Sequence, residues 1–189
     1  MRQTNTSNKL HRVLSSGRRR QAWPDPGLDA AIGEAASDVS ADGVRFIARF
    51  EGFRPRLYDD AAGNCTIGFG HLVHEGPTDG SEPPELLAGI TRARALELLR
   101  ADAARAAAAV RDAVRVPLSQ CRFDALTSFA YNVGPGAFAE STLLRRLNEG
   151  DYAAVPGELA RWTSAGGATL AGLVRRRAAE GRLFARGLY

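Results

Sequence analysis

Glu51, Asp60 and Thr66, spaced Glu-x8-Asp-x5-Thr, are the side chains in this sequence that could do chemistry as a set. Glycoside hydrolysis asks for two carboxyl groups at one groove. One carboxylic acid protonates the leaving oxygen, and a carboxylate assists water or stabilises the oxocarbenium-like transition state. A nearby hydroxyl can orient that water by hydrogen bonding. At a reference pKa of about 4.3, roughly one glutamate in 500 is protonated at pH 7, so an acid catalyst depends on its surroundings. Apolar neighbours help a carboxyl keep its proton and cations oppose it. Phe50 and Phe53 stand beside Glu51 on one account, Arg49 and Arg54 on the other, and the sequence leaves that sign open. A glutamate after a helix and an aspartate in a turn are also ordinary surface features, so the triplet alone says little.

The elements that must position these residues can be read from periodicity. Val44, Phe46, Ile47 and Phe50 recur with helical spacing behind a capping Ser40 or Asp42, which predicts a helix ending near Gly52. Residues 56–60 and 65–73 read as two strands around Ala61-Ala62-Gly63-Asn64, a hairpin-length loop. Gly68 and Gly70 inside the second strand suggest a bulge or close approach by another group. A hairpin folded back over a helix end would gather the two carboxylates and the hydroxyl. After a polar loop over 78–89, Thr91 caps a long helix with the stripe Leu96, Leu99, Ala103, Ala106, Val110 and Val114, stopped by Pro117. Further helices are expected over 119–134, 141–148, 151–162 with an interruption at Pro156-Gly157, and 172–184. The fold class is α+β, mainly helical, with a cleft between lobes where sites tend to lie.

Residues 1–39 differ from the rest. Lys9, Arg12 and the run Arg18, Arg19, Arg20 sit among Ser, Asn and Thr, followed by Pro24, Pro26 and Gly27. They read as a flexible basic leader with a short helix over 28–36. A solvated tail is one reading of it, and a weak contact with an anionic membrane or wall is the other. The net charge of +4 favours polyanions without choosing among them. No transmembrane span is readable. The leader shows no apolar h-region, so no secretory signal is expected. Cys65 and Cys121 are too few for a disulfide scaffold and read as separate thiols.

Residues 50–73, including Thr-Ile-Gly-Phe-Gly-His-Leu-Val at 66–73, resemble the N-terminal lobe of phage lysozymes, glycoside hydrolase family 24. A second block, FDALTSFAYNVGPGAFAESTLLRRLNEGDY at 123–152, is similar to that family's helical lobe. A third, RWTSAGG at 161–167 followed by GLVRRRAAE at 172–180, resembles its C-terminal end. Three blocks in the family's order, spanning about 40–189, are far more specific than any one motif.

The resemblance implies a two-lobe lysozyme-like domain: a hairpin lobe about 40–90, a connecting helix about 91–115 and a helical lobe about 116–189. It implies an endolysin that hydrolyses the β-1,4 bond between N-acetylmuramic acid and N-acetylglucosamine with inversion. Glu51 would donate the proton, Asp60 would assist water or stabilise charge, and Thr66 would hold the water. Glycan contacts are implied near Leu72, Tyr131 and Ser141, and a basic partner for Glu51 among residues 175–177, with Arg176 the choice. Pro156-Gly157 interrupts a helix that the family runs through, and Gly181 should cost its helix about 1 kcal/mol relative to Ala.

Other chemistry finds less support. Cys65, His71, His74 and Glu75 match no common zinc spacing, so no metal and no cofactor are expected. A serine-hydrolase elbow and a phosphate-binding glycine loop are both missing, and scattered arginines without a recognition motif argue against nucleic acid. Phe138 and Trp162 are assigned to the core. The expectation is a monomer acting on peptidoglycan glycan strands, made in a bacterial host cytoplasm and reaching the wall after membrane permeabilisation. The alternatives are a catalytically silent wall-binding module and a cationic membrane-active protein.

Overall fold

The computed structural model describes residues 36–189. The basic leader through residue 35, with nearly all of the helix expected over 28–36, lies outside the described residues. The first helix, α1 (Ala41–Ala48), is capped by Ser40, whose hydroxyl oxygen accepts from the Gly43 amide. Its apolar residues divide between two cores: Val44, Ile47 and Ala48 enter one, and Phe46 enters the other. Gly43 makes this placement possible. A Cβ there would stand 2.5 Å from Cγ of Asp124, a fully buried carboxylate that accepts from the Ser40 amide at 2.9 Å and the Tyr189 hydroxyl at 2.7 Å.

Three antiparallel strands follow in the order β1 (Arg54–Asp59), β2 (Cys65–Gly68) and β3 (His71–His74). The second strand expected over 65–73 is therefore two strands, with the chain reversing at Phe69-Gly70. Gly68 and Gly70 adopt φ of +70° and +85°, where side chains with a Cβ are disfavoured. Gly68 also permits close approach: a Cβ on it would lie 3.2 Å from Cβ of Ala95. The sheet thus rests directly on the long helix.

That helix follows the short α2 (Pro84–Leu87), which forms inside the loop expected over 78–89. It is α3 (Arg92–Ala113), capped by Thr91. Its buried stripe serves both cores in turn, with Ala95, Leu99 and Ala103 against the sheet and Ala106, Ala107 and Val110 against the helices beyond. Those helices are α4 (Gln120–Val133), α5 (Pro135–Ala139), α6 (Thr142–Asn148), α7 (Val155–Leu159) after a 3-10 turn at Tyr152–Ala154, and α8 (Ala171–Arg186). Between α7 and α8 a small ribbon pairs β4 (Ser164–Ala165) with β5 (Ala168–Thr169). Neither α5 nor this ribbon is legible from periodicity, since each is only a few residues long.

Phe123, Phe129, Phe138 and Phe184 fill the larger core, and each such side chain stabilises by about 1.5–3 kcal/mol relative to exposure. Pro156 falls in the first turn of α7, where its missing amide proton costs nothing. Gly181 is buried over Pro156, and a Cβ on it would lie 3.4 Å from the proline Cβ. The two irregularities noted in the sequence are one close crossing of α7 and α8. The architecture is α+β and mainly helical. Among the described residues no helix is long and apolar enough to cross a membrane.

Candidate active site

Glu51 follows the end of α1, with its side chain 27% exposed. Its carboxylate accepts from Arg176 of α8 at 2.7 Å. Arg176 is itself buried and held from three sides. Its Nε donates to Glu180 at 3.1 Å, its second amino group donates to the Ser128 carbonyl at 3.2 Å, and its guanidinium lies 5.3 Å from the centre of the Phe50 ring. Glu180 is fully buried and accepts from Ser128 Oγ at 2.7 Å as well as from Arg177. Arg177 completes the cluster, donating to the Trp162 carbonyl at 3.0 Å and to Asn132, with its guanidinium 4.8 Å from the Phe129 ring centre. Burial lowers the Arg177 pKa from its ordinary value, with the Glu180 charge opposing that. So one acid just after α1 is oriented by a cation whose own position is fixed by α4 and α8.

Arg49 and Arg54, adjacent in sequence, lie over the rings of Phe46 and Tyr58 at 5.8 and 4.3 Å. Phe53 packs on Phe69 at 5.3 Å between ring centres. The charge that reaches Glu51 comes from 125 residues away rather than from its neighbours.

Asp60 and Thr66 are joined through Asn64. The Asp60 carboxylate accepts from the amides of Ala62 at 2.8 Å and Asn64 at 3.0 Å. The Asn64 carbonyl in turn accepts from the Asp60 amide at 2.9 Å and the Thr66 hydroxyl at 3.0 Å. The Asn64 amide, helped by Ala62 and Gly63 and opposed by slight burial, holds the Asp60 carboxyl below its ordinary range. Thr66 is buried in β2, while Asp60 is half-exposed at the turn.

Tyr131, on α4, packs against both cores. Burial, together with the negative charges of Glu51 and Asp102, pushes its pKa up to about 12. Asp102 of α3 meets His71 Nδ1 at 3.0 Å, which ties β3 to the long helix. Leu72, next to His71, is half-exposed. Ser141 is placed differently. It is buried, donates to the Phe138 carbonyl at 2.7 Å and accepts from the Leu144 amide at 3.1 Å as the cap of α6. It borders a hollow of about 560 Å³ whose walls, among them Asp112, Arg115 and Arg145, include none of Glu51, Asp60, Thr66, Leu72 or Tyr131.

Ser128, Glu180 and Asn64 organise the site without having been singled out in the sequence. Glu180 and Arg176 stand four apart on a helix, a pairing the spacing allows, but the burial that makes it matter is tertiary. Cys65 and His74 meet each other but not His71 or the Glu75 side chain. Their third neighbour is Glu82, completely buried, which burial would raise but which the amides around it and His74 hold down to about 2. Cys65 and Cys121 are both free thiols.

Comparison with known proteins adds an independent line. The family model described as phage lysozyme matches residues 48–180. The chain is 38% identical over 150 residues to an endolysin of Acyrthosiphon pisum secondary endosymbiont phage 1, covering 77% of this chain and 97% of that relative. Among solved structures it superposes on the muramidase domain of SpmX from Asticaccaulis excentricus with a TM-score of 0.68 at 38% identity, over 79% of this chain and 99% of the other. A mutant P22 lysozyme gives the same TM-score of 0.68 at 37% identity, again over 79% and 99%.

Proposed function

The chain belongs to the phage lysozyme family and is a lysozyme-type glycoside hydrolase, and on that footing we propose how it cuts its substrate, bacterial peptidoglycan. The bond is the β-1,4 link from N-acetylmuramic acid to N-acetylglucosamine, opened with inversion. The observation that carries this reading is positional: a buried arginine fixes where the Glu51 carboxyl points, and a turn favours the ionised form of Asp60. The arginine supplies orientation, since a cation does not favour a protonated carboxyl.

Glu51 gives its proton to the glycosidic oxygen as the bond to the anomeric carbon breaks. Asp60 is a weak base, because the turn amides stabilise its ionised form. It works chiefly by charge, favouring the positive sugar and drawing a water proton. Thr66 spends its own proton on the Asn64 carbonyl, so it can only accept from a water. A water donating to both Asp60 and Thr66 turns its lone pair outward, toward the carbon it attacks. Inversion needs that water between carboxylate and sugar. Tyr131, within reach of the Glu51 charge, and the exposed Leu72 are the residues assigned to contact the glycan. Action as a lytic endolysin, as a monomer at the wall after membrane permeabilisation, belongs to this reading.

The test is release of new reducing ends from purified peptidoglycan by the wild-type chain and by Glu51→Gln. The substitution keeps the shape and removes the donated proton, so the rate should fall by about 10²–10⁴-fold with the fold intact. An α-anomer as first product supports inversion, and a β-anomer rejects it. Cell lysis that survives Glu51→Gln without sugar release would instead mark a cationic membrane-active protein.

A further inference from the structure

A second cluster of chemically active side chains joins the three-stranded sheet to the loop before α2, beside Thr66 but sharing no residue with the proposed cutting set. Cys65 at the start of β2, His74 at the end of β3 and Glu82 before α2 bring one ligand atom each to within 4.8 Å of one another. Cys65 Sγ lies 3.4 Å from Glu82 Oε1, and His74 Nε2 lies 3.3 Å from the same oxygen. A tetrahedral zinc site with bonds of about 2.3 Å to sulfur and about 2.0 Å to nitrogen or oxygen has ligand edges of about 3.5 and 3.3 Å. The Sγ–Oε1 and Nε2–Oε1 separations are close to those values.

The ring of His74 supplies an independent observation. Its Nδ1 lies 2.9 Å from the Glu75 carbonyl, which can only accept, so Nδ1 carries a proton. In the neutral ring Nε2 is then a lone pair facing a carboxylate oxygen. Two acceptors in contact need a positive centre between them, either a second ring proton or a metal ion. A histidine whose far nitrogen is pinned to a backbone carbonyl is the usual arrangement of a metal ligand. Glu82 is fully buried and fixed by the amides of Asp79 at 3.0 Å and Gly80 at 2.9 Å, so its oxygen is aimed before any ion arrives.

We propose that Cys65, His74 and Glu82 form a binding site for a zinc-class divalent ion, with water in the fourth position. The mixed sulfur, nitrogen and oxygen set selects a borderline-soft ion over calcium or magnesium. Binding replaces the Cys65 thiol proton, which leaves to solvent, and forms bonds from the ion to Sγ, Nε2 and Oε1. The ion clamps the loop over 75–82 onto β2 and β3, one residue from Thr66. Its role is structural, and it is independent of the proposed cutting mechanism.

The experiment is cobalt(II) titration of the reduced, metal-free full chain, followed by absorbance. One equivalent should produce a thiolate-to-cobalt charge-transfer band and the visible bands of four-coordinate cobalt. His74→Asn and Cys65→Ser should each abolish the charge-transfer band, while Cys121→Ser should leave it unchanged. Zinc at a hundredfold above its Kd should raise Tm by about 5–10 °C in wild type and not in His74→Asn. His74 is partly exposed, so that variant carries the test if Cys65→Ser does not fold. Absence of the thiolate band in the wild-type chain, its persistence in His74→Asn, or its loss with Cys121→Ser overturns the proposal. None of those outcomes bears on sugar release, so the two readings fail separately.

Discussion

The two sides of the candidate active site are held by opposite means. On the hairpin side, Asp60, Asn64 and Thr66 lie within seven residues of chain and are joined by backbone amides and carbonyls. On the helical side, Glu51 depends on Arg176, which depends on Glu180 and Ser128, across three helices and up to 125 residues of sequence. The first arrangement is cheap and local, and it leaves Asp60 open to solvent. The second takes charges out of water, and it holds only while every partner is present. A turn can be tuned one residue at a time. A buried ion network stands or falls as a unit.

Substitutions that separate activity from stability sharpen this contrast. The largest combined effect is expected from Glu180→Ala. It strands two buried guanidinium groups and should cost about 3–5 kcal/mol of unfolding free energy, read from the denaturant midpoint. A cost below about 1 kcal/mol would mean that the helical side is no network. Asp60→Asn probes the hairpin side. The amide oxygen can still accept from the turn, so stability should move by less than about 1 kcal/mol. Release of reducing ends should nonetheless fall by about 10²-fold or more. Equal losses of stability and activity would erase the distinction between the two sides.

Thr66→Val keeps the shape of a buried strand residue and removes one hydroxyl. Its expected cost is about 1 kcal/mol in stability with a fivefold to tenfold fall in rate. Unchanged hydrolysis would leave Thr66 a purely structural donor to Asn64. The smallest effect lies at Tyr131, between the two sides. In the unfolded chain it ionises near pH 10, whereas in the fold it holds its proton to about 12. The unfolded state therefore releases a proton first, and stability falls as pH rises through that window. Tyr131→Phe should make the alkaline limb of the stability curve shallower. It should not flatten it, since burial raises Tyr189 in the same direction. A limb no shallower in Tyr131→Phe than in wild type would mean that neither burial nor the nearby carboxylates raise the Tyr131 pKa in the fold.

Much of the site was legible where the interactions are local. A turn is encoded by its own residues, so the hairpin around Gly63 could be read directly, and the cap of α1 was narrowed to Ser40 or Asp42, of which the fold uses Ser40. The break after Gly68 was visible only as an odd glycine, because bulge and reversal leave the same trace in sequence. The sequence argues against a metal at Cys65, His71, His74 and Glu75, and it does not point to Glu82 at all. Glu82 stands 17 residues beyond Cys65 in a polar loop, and nothing in that loop's composition distinguishes it from a solvated glutamate. Its complete burial is a property of the folded loop.

The sequence by itself determined the longer helices, the cap at Thr91, the turn that holds Asp60, and the residue types available for chemistry. Those follow from backbone preferences and from periodicity, which act over a few residues. Local patterns do not say which cation meets Glu51, and the family resemblance alone pointed to Arg176. Only the tertiary structure decided that Ser141 is engaged as a buried cap and that His71 and His74 go to different partners. Ion pairs and burial depend on distances between segments far apart in the chain. Local rules do not carry that information until the two cores on either side of α1 and α3 have closed.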